Sequence, residues 1–285
     1  MIRLDAATVL LQWATGGLLF LWVTTRRRQV GIGYGWLLRG VYGVMALGAL
    51  AAGLGVGDPV TVREACSGVV ALATFVALAV SVVRRRAGVS GERAREERRT
   101  ARVAAMTGID RAASERDDAV AEFPPVLDVL APVAGAVGLV AAGIAAGGPD
   151  ALAVVRTMVG AAFLGAISDA MLLGHWYLVQ PGLTREPLNE LVRWTMWIWP
   201  FEVTAMLWPT GMLSVLTGSV DDGWNGTLGW FWLACAAATI VLCVVTRAAL
   251  KERAYSAVMA ATGLLYLAIL TAFGTDLVAR AVLAR

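Results

Sequence analysis

Apolar runs of about twenty residues recur along the whole chain, each broken by arginines or turn residues. That is the number of helical residues that crosses a hydrocarbon core about 30 Å thick. Eight runs are read, over residues 6–24, 32–54, 62–83, 126–146, 151–173, 188–216, 227–245 and 254–273. The fourth and fifth, rich in alanine and glycine, are the weakest, and a six-helix count is the alternative. Composition points the same way: 58% of the 285 residues are hydrophobic, 16% are charged, and the mean hydropathy is +0.69. A soluble globular chain has a far more polar balance. The sequence therefore predicts an all-α integral membrane protein with about eight transmembrane helices, surrounded by the lipid bilayer.

Arginine and lysine near span ends are retained on the cytoplasmic side. Arg26, Arg27 and Arg28 follow the first run, Arg84, Arg85 and Arg86 the third, and Arg247, Lys251 and Arg253 the seventh. With eight spans all three clusters share one face. The other face holds Arg3, Arg63, Arg280 and Arg285 against Asp58, Asp150, Asp221 and Asp222. Both termini are thus expected outside the cytoplasm, in a multi-pass protein of the cell membrane. The first run is not read as a cleaved signal peptide, because its positive cluster lies on the wrong side of it.

The expected organisation is three spans in residues 1–83, a charged and partly helical cytoplasmic loop over 84–125, and five spans in 126–285. The loop carries ten arginines against eight acids. So small an excess argues against nucleic-acid binding, and a solvated linker or a partner-docking segment fits better. The connections "TTRRRQVGIGYGWLLRGVYG" and "HWYLVQPGLTREPLNELVRW", and the basic tails "VVRRRAG" and "VVTRAALKER", suggest a parallel four-plus-four repeat. Stretches such as "AGAVGLVAAGIAAGG" allow helix backbones to approach closely in lipid.

Several chemistries lack their residues. Cys66, Cys235 and Cys243 have no paired spacing and no companion histidines, so no zinc or iron–sulfur motif is present. His175 is the only histidine, which leaves no bis-His haem motif. Ser168 and His175 lie about 10.5 Å apart along a helix, too far for a nucleophile and its base. The cofactor stays unknown, and the lack of any catalytic motif leans away from an enzyme.

Ionisable residues inside hydrocarbon are costly and ask for a partner or a purpose. The candidates are Arg39 in the second span, Arg156 and Asp169 in the fifth, and Glu202 in the sixth. Asp128, Glu190, Arg193 and Asp276 lie nearer span ends and are expected to reach water by snorkelling. Glu202 stands between Pro200 and Pro209, each of which removes a backbone donor. The rival to a functional Glu202 is a carboxylate simply paired with Arg39 or Arg156. Glu190 and Arg193 are spaced for a pair within one helix.

His175 is expected just past the fifth span, where it would cap the helix C-terminus or serve a headgroup-level site. Thr184 is the expected N-cap of the next helix, with Pro187 in its first turn. Trp194, Trp197 and Trp199, and then Trp224, Trp230 and Trp232, fit interfacial belts.

Three functional readings follow. In the leading one a small ligand or ion is bound or passed through a polar interior lined by Glu202, Asp169, Arg39 and Arg156, with His175 at its cytoplasmic mouth. In the second the chain is a noncatalytic subunit of a respiratory or redox membrane complex, with a quinone or lipid site formed by His175, Trp176, Tyr177, Trp194 and Trp197. In the third it is a scaffold that docks a partner through residues 84–125.

Overall fold

The computed structural model describes residues 4–56, 58–107, 121–147, 149–180, 182–209 and 211–284. Arg3, Arg111, Arg116, Pro181 and Arg285, which the sequence reading used, lie outside them. The described elements are ten α-helices and one short 3₁₀ turn: α1 (Ala6–Thr25), α2 (Ile32–Gly55), α3 (Thr61–Val83), α4 (Ser90–Thr107), α5 (Leu127–Ala145), α6 (Asp150–Val179), α7 (Glu186–Leu207), α8 (Met212–Leu216), α9 (Thr227–Ala249) and α10 (Tyr255–Leu283). Seven of them, α1, α2, α3, α5, α6, α9 and α10, are long and apolar enough to cross a membrane.

The 22-residue α7 is long enough as well. It lacks the hydropathy because Glu186, Glu190, Arg193 and Glu202 all lie on it. The run at 188–216 is not one helix. It breaks at Trp208 and Pro209, and the short α8 follows. Pro200, by contrast, remains inside α7. Asp5 starts α1 by accepting from Thr8 N at 3.1 Å, which satisfies an otherwise orphaned donor.

Helices α1 and α6 form the centre. Helices α1, α2, α3 and α5 pack in one closed circuit, and α6, α7, α9 and α10 in a second, where α9 joins α7 to α10. The two central helices meet at Gly16 and Gly165. A Cβ on Gly16 would overlap the carbonyl oxygen of Ala161, and one on Gly165 would overlap the backbone of Gly16. Backbones approach this closely in a membrane only through small residues. Leu11, Leu18, Phe163, Ile167 and Leu265 fill the buried apolar core alongside.

The arginine clusters gather at one end of the bundle. Arg26 bonds Glu190 at 2.5 Å, Arg27 bonds Glu186 at 2.6 Å, and Arg28 bonds Glu122 at 2.9 Å. Helix α4 is tied to this end where Gly91 N donates to Arg28 O at 3.1 Å and the Gln180 amide donates to Glu92.

Several local expectations change. Glu190 is claimed by Arg26 and Arg27 from α1 and not by Arg193, because the interhelical carboxylate faces the bundle. Asp128 and Asp276 do not snorkel. They are 3% and 0% exposed, each held by an arginine within the protein. Helix α7 begins at Glu186, so Thr184 is not its N-cap. The Thr184 carbonyl instead accepts from the Tyr177 hydroxyl. Trp232 is fully buried and is no belt residue, whereas Trp224 and Trp230 are exposed.

Candidate functional site

Two polar centres lie inside the bundle, and a third ion pair closes its arginine-rich end. The centre nearer the opposite end is built by α1, α6, α7 and α10. Arg280 and Asp276 stand one turn apart on α10, with Nε donating to Oδ2 at 2.8 Å. Gln12 of α1 bridges them: its amide donates to Asp276 Oδ1 at 3.3 Å, and its carbonyl oxygen accepts from Arg280 Nη2. Gly160 of α6 makes room for this clasp, because a Cβ there would stand 2.5 Å from the Gln12 nitrogen and 2.7 Å from Asp276 Oδ1.

Glu202 and Arg156 complete this centre. Both are almost fully buried, at 0% and 1% exposure. Arg156 Nε donates to the carbonyl of Ala205 on α7 at 2.7 Å. The charges that act on Glu202 are those of Asp276, Arg280 and Arg156. Neither Glu202 oxygen has a hydrogen-bond partner among the described residues, and neither does Arg280 Nη1. Two guanidinium groups and two carboxyl groups thus share one buried region, and three of their strong hydrogen-bonding atoms have no partner among the described residues. Buried polar groups are ordinarily satisfied, which makes these exceptions the candidate site.

An apolar cluster lies beside this centre, formed by Met206 of α7, Met212 and Val215 of α8, Trp232 of α9, and Ala279 and Val282 of α10. A narrow crevice of about 10 Å³ reaches Arg280 from the same end, lined by Asp5, Thr8, Arg63 and Thr157 among others. At its mouth Arg63 holds Asp5 and, at 2.6 Å, Glu64.

The second centre is Asp169 of α6. Tyr42 of α2 donates its hydroxyl to Oδ1 at 2.5 Å, while Oδ2 has no partner among the described residues. Tyr34 donates to the Asp169 carbonyl at 3.4 Å. Arg156 and Asp169 are thirteen residues apart on one helix, about 20 Å by the rise per residue. The Gly16–Gly165 contact lies between them, so the two centres are separate.

Arg39 belongs to neither. Its guanidinium meets Asp128 through Nε at 2.8 Å and Nη2 at 2.7 Å, and Phe123 covers it at 4.2 Å. Arg39 also lines a cavity of about 40 Å³ with Ser81, Glu122, Phe123 and Pro125. The pairing of Glu202 with Arg39 is therefore replaced by Arg39 with Asp128.

His175 lies within α6 and not beyond it, because the helix continues to Val179; it does not cap the C-terminus. The ring is exposed, with Nδ1 3.2 Å from the Tyr266 hydroxyl. Of its neighbours, Trp176 donates to Gln180 at 3.0 Å and Tyr177 is buried. Trp194 and Trp197 are exposed on α7, at 42% and 72%.

The structure thus brings Glu202 and Arg156 together and leaves Asp169, Arg39 and His175 in three other places. Sequence reasoning missed Gln12, Arg280, Tyr42 and the interior position of Asp276. A signal existed for one pair: Asp276 and Arg280 have the i, i+4 spacing that neutralises two charges within a helix. Among the described residues no group of three His, Cys, Asp or Glu side chains is placed to hold a metal ion. No family model, no curated protein and no solved structure matches the chain.

Proposed function

We propose that the chain is a multi-pass protein of the cell membrane that binds a small ligand or ion at the Glu202 centre, and that passage across the bundle starts from this site. In this reading α7 is an eighth crossing, the arginine-rich end is cytoplasmic, and both termini lie outside. The course of α7 supports the crossing: Glu186 pairs with Arg27 at one end, and Ala205 accepts from Arg156 near the other. The two four-helix circuits, α1–α2–α3–α5 and α6–α7–α9–α10, support a four-plus-four arrangement. A bundle that needed only stability would not leave a carboxyl group unsatisfied at its interior.

The observation that carries the reading is Glu202, fully buried with both oxygens unpartnered among two arginines and an aspartate. The test uses the whole chain in detergent and in proteoliposomes. Thermal stability is measured against sodium, potassium, calcium and chloride and across a pH series, for the native protein and for Glu202→Gln. The reading expects at least one of these to stabilise the native protein several-fold more strongly than the variant. Flux of that same species into proteoliposomes then falls severalfold in the variant. Identical responses across the whole panel reject the site.

A further inference from the structure

Four features of the Glu202 centre restrict what it can accept. The first is room. The crevice that reaches its Arg280 measures about 10 Å³, at the lower edge of what one water molecule needs. The second is charge. Glu202 faces Arg156 from α6 and Asp276 and Arg280 from α10, while α1 presents the uncharged Gln12. A metal cation would have to gather several oxygen ligands beside two guanidinium groups. An anion would have to sit beside two carboxyl groups. A proton delivered by a single water-sized carrier needs no coordination shell.

The third feature is the free hydrogen-bonding capacity. Both Glu202 oxygens can accept, and Arg280 Nη1 can donate. The fourth is sidedness. The crevice enters from the end opposite the arginine clusters, and its polar side chains, Asp5, Thr8, Arg63, Thr157 and Arg280, alternate with Val60 and the alanines of α5 and its C-terminal end. Toward those clusters the backbones of α1 and α6 touch at Gly16 and Gly165. Among the described residues the crevice therefore approaches the centre from the end opposite those clusters.

We infer that the species served by this centre is the proton, taken up from the end opposite the arginine clusters through the Thr157–Arg280 crevice and carried on Glu202. This rests on the reading of the Glu202 site given above. In the step a hydronium ion gives one proton to a Glu202 oxygen: an O–H bond forms on the carboxyl group, one breaks in the hydronium, and water remains. Asp276 stays bound to Arg280 Nε and Gln12. The centre gains one unit of positive charge in this step. That change removes the electrostatic attraction between Glu202 and the guanidinium groups of Arg280 and Arg156, and Arg156 anchors the last turn of α7 through Ala205.

The experiment is infrared difference spectroscopy on the whole protein in nanodiscs, with pH as the variable. A protonated-carboxyl stretching band is expected to grow as the pH falls and to shift on exchange into heavy water. It disappears in Glu202→Gln and persists in Tyr42→Phe, which perturbs the other buried carboxyl at Asp169. Thr157→Val is expected to slow deuterium exchange at this band by tenfold or more. Should Glu202→Gln fail to fold, Glu202→Asp serves instead, and the band moves in frequency rather than vanishing. A band that does not respond to Glu202 substitution, or no titrating band at all, overturns the proposal. In that event the ion panel separates the two claims. Stabilisation by sodium or chloride that depends on Glu202 leaves the site intact and removes only the proton, whereas no dependence removes both.

Discussion

Arg39 of α2 and Asp128 of α5 meet in a two-pronged contact, 2.8 Å from Nε to Oδ1 and 2.7 Å from Nη2 to Oδ2, with the Ser81 hydroxyl 3.3 Å from the third nitrogen. Arg39 is 2% exposed and Asp128 3%. Such a pair adds little net stability over apolar residues of the same shape, but removing one partner strands a buried charge. Asp128→Ala is therefore expected to destabilise by about 3–5 kcal/mol. Replacing both, Arg39→Leu with Asp128→Leu, should recover most of that loss. Thermal unfolding of all three proteins in one detergent checks it, and an additive double variant would show that the two residues act independently.

The contact between Gly16 and Gly165 makes a prediction of a different kind. No rotamer change relieves a Cβ placed against another helix's backbone, so Gly16→Ala and Gly165→Ala must push α1 and α6 apart. Overpacking of this sort costs about 1–3 kcal/mol or more. Gly263, where an added Cβ meets nothing within 4 Å, is the control. Gly263→Ala should purify as a single monodisperse species, and the two interface variants should lose most of theirs. Equal yields from all three would show that the crossing tolerates separation.

Seven of the helices were legible because apolar length is a property of each segment alone. The depth of Glu202 and of Asp169 followed in the same way, from their distance to the ends of a run. The partners were not legible. Arg39 finds Asp128 across 89 residues and Gln12 finds Arg280 across 268, and no local pattern encodes which helix faces which. The snorkelling expected of Asp276 failed for a related reason. Its helix runs to Leu283, well past the apolar run that ended at 273, so a residue placed beyond the span became an interior one. His175 shows the same effect in reverse, with α6 extending to Val179 and carrying the ring onto an exposed face.

The eighth crossing can be read by accessibility. With α7 spanning the bilayer, the connection before α9 and helix α4 lie on opposite sides; without it they share one. Ser219 and Arg99 are both exposed. In a background lacking the three native cysteines, Ser219→Cys should react with a membrane-impermeant maleimide on intact cells. Arg99→Cys should react only after lysis. Labelling of neither or of both in intact cells would leave seven crossings and place α7 along one surface.

Asp222 gives the chain a measurable response to acid. Its carboxylate accepts from the backbone nitrogens of Trp224 at 2.8 Å, Gly226 at 2.9 Å, Leu228 at 2.9 Å and Gly229 at 3.4 Å, just ahead of and within the first turn of α9. Removal from water pushes this carboxyl upward, but the four donors outweigh that and hold it below its ordinary value. Negative charge at a helix N-terminus is favoured by the aligned peptide dipoles as well. Because the folded value is depressed, the stabilisation is complete above the unfolded value of about 3.9 and is lost as the pH falls through the folded one. Asp222→Asn removes the charge at every pH. At neutral pH the variant should therefore melt below the native protein, and the gap should narrow under about pH 3.9 and close once the native carboxyl is protonated. Melting curves of both proteins from neutral to acidic pH supply the test; a gap of constant size would mean that the hydrogen bonds, and not the ionised carboxylate, hold the start of α9.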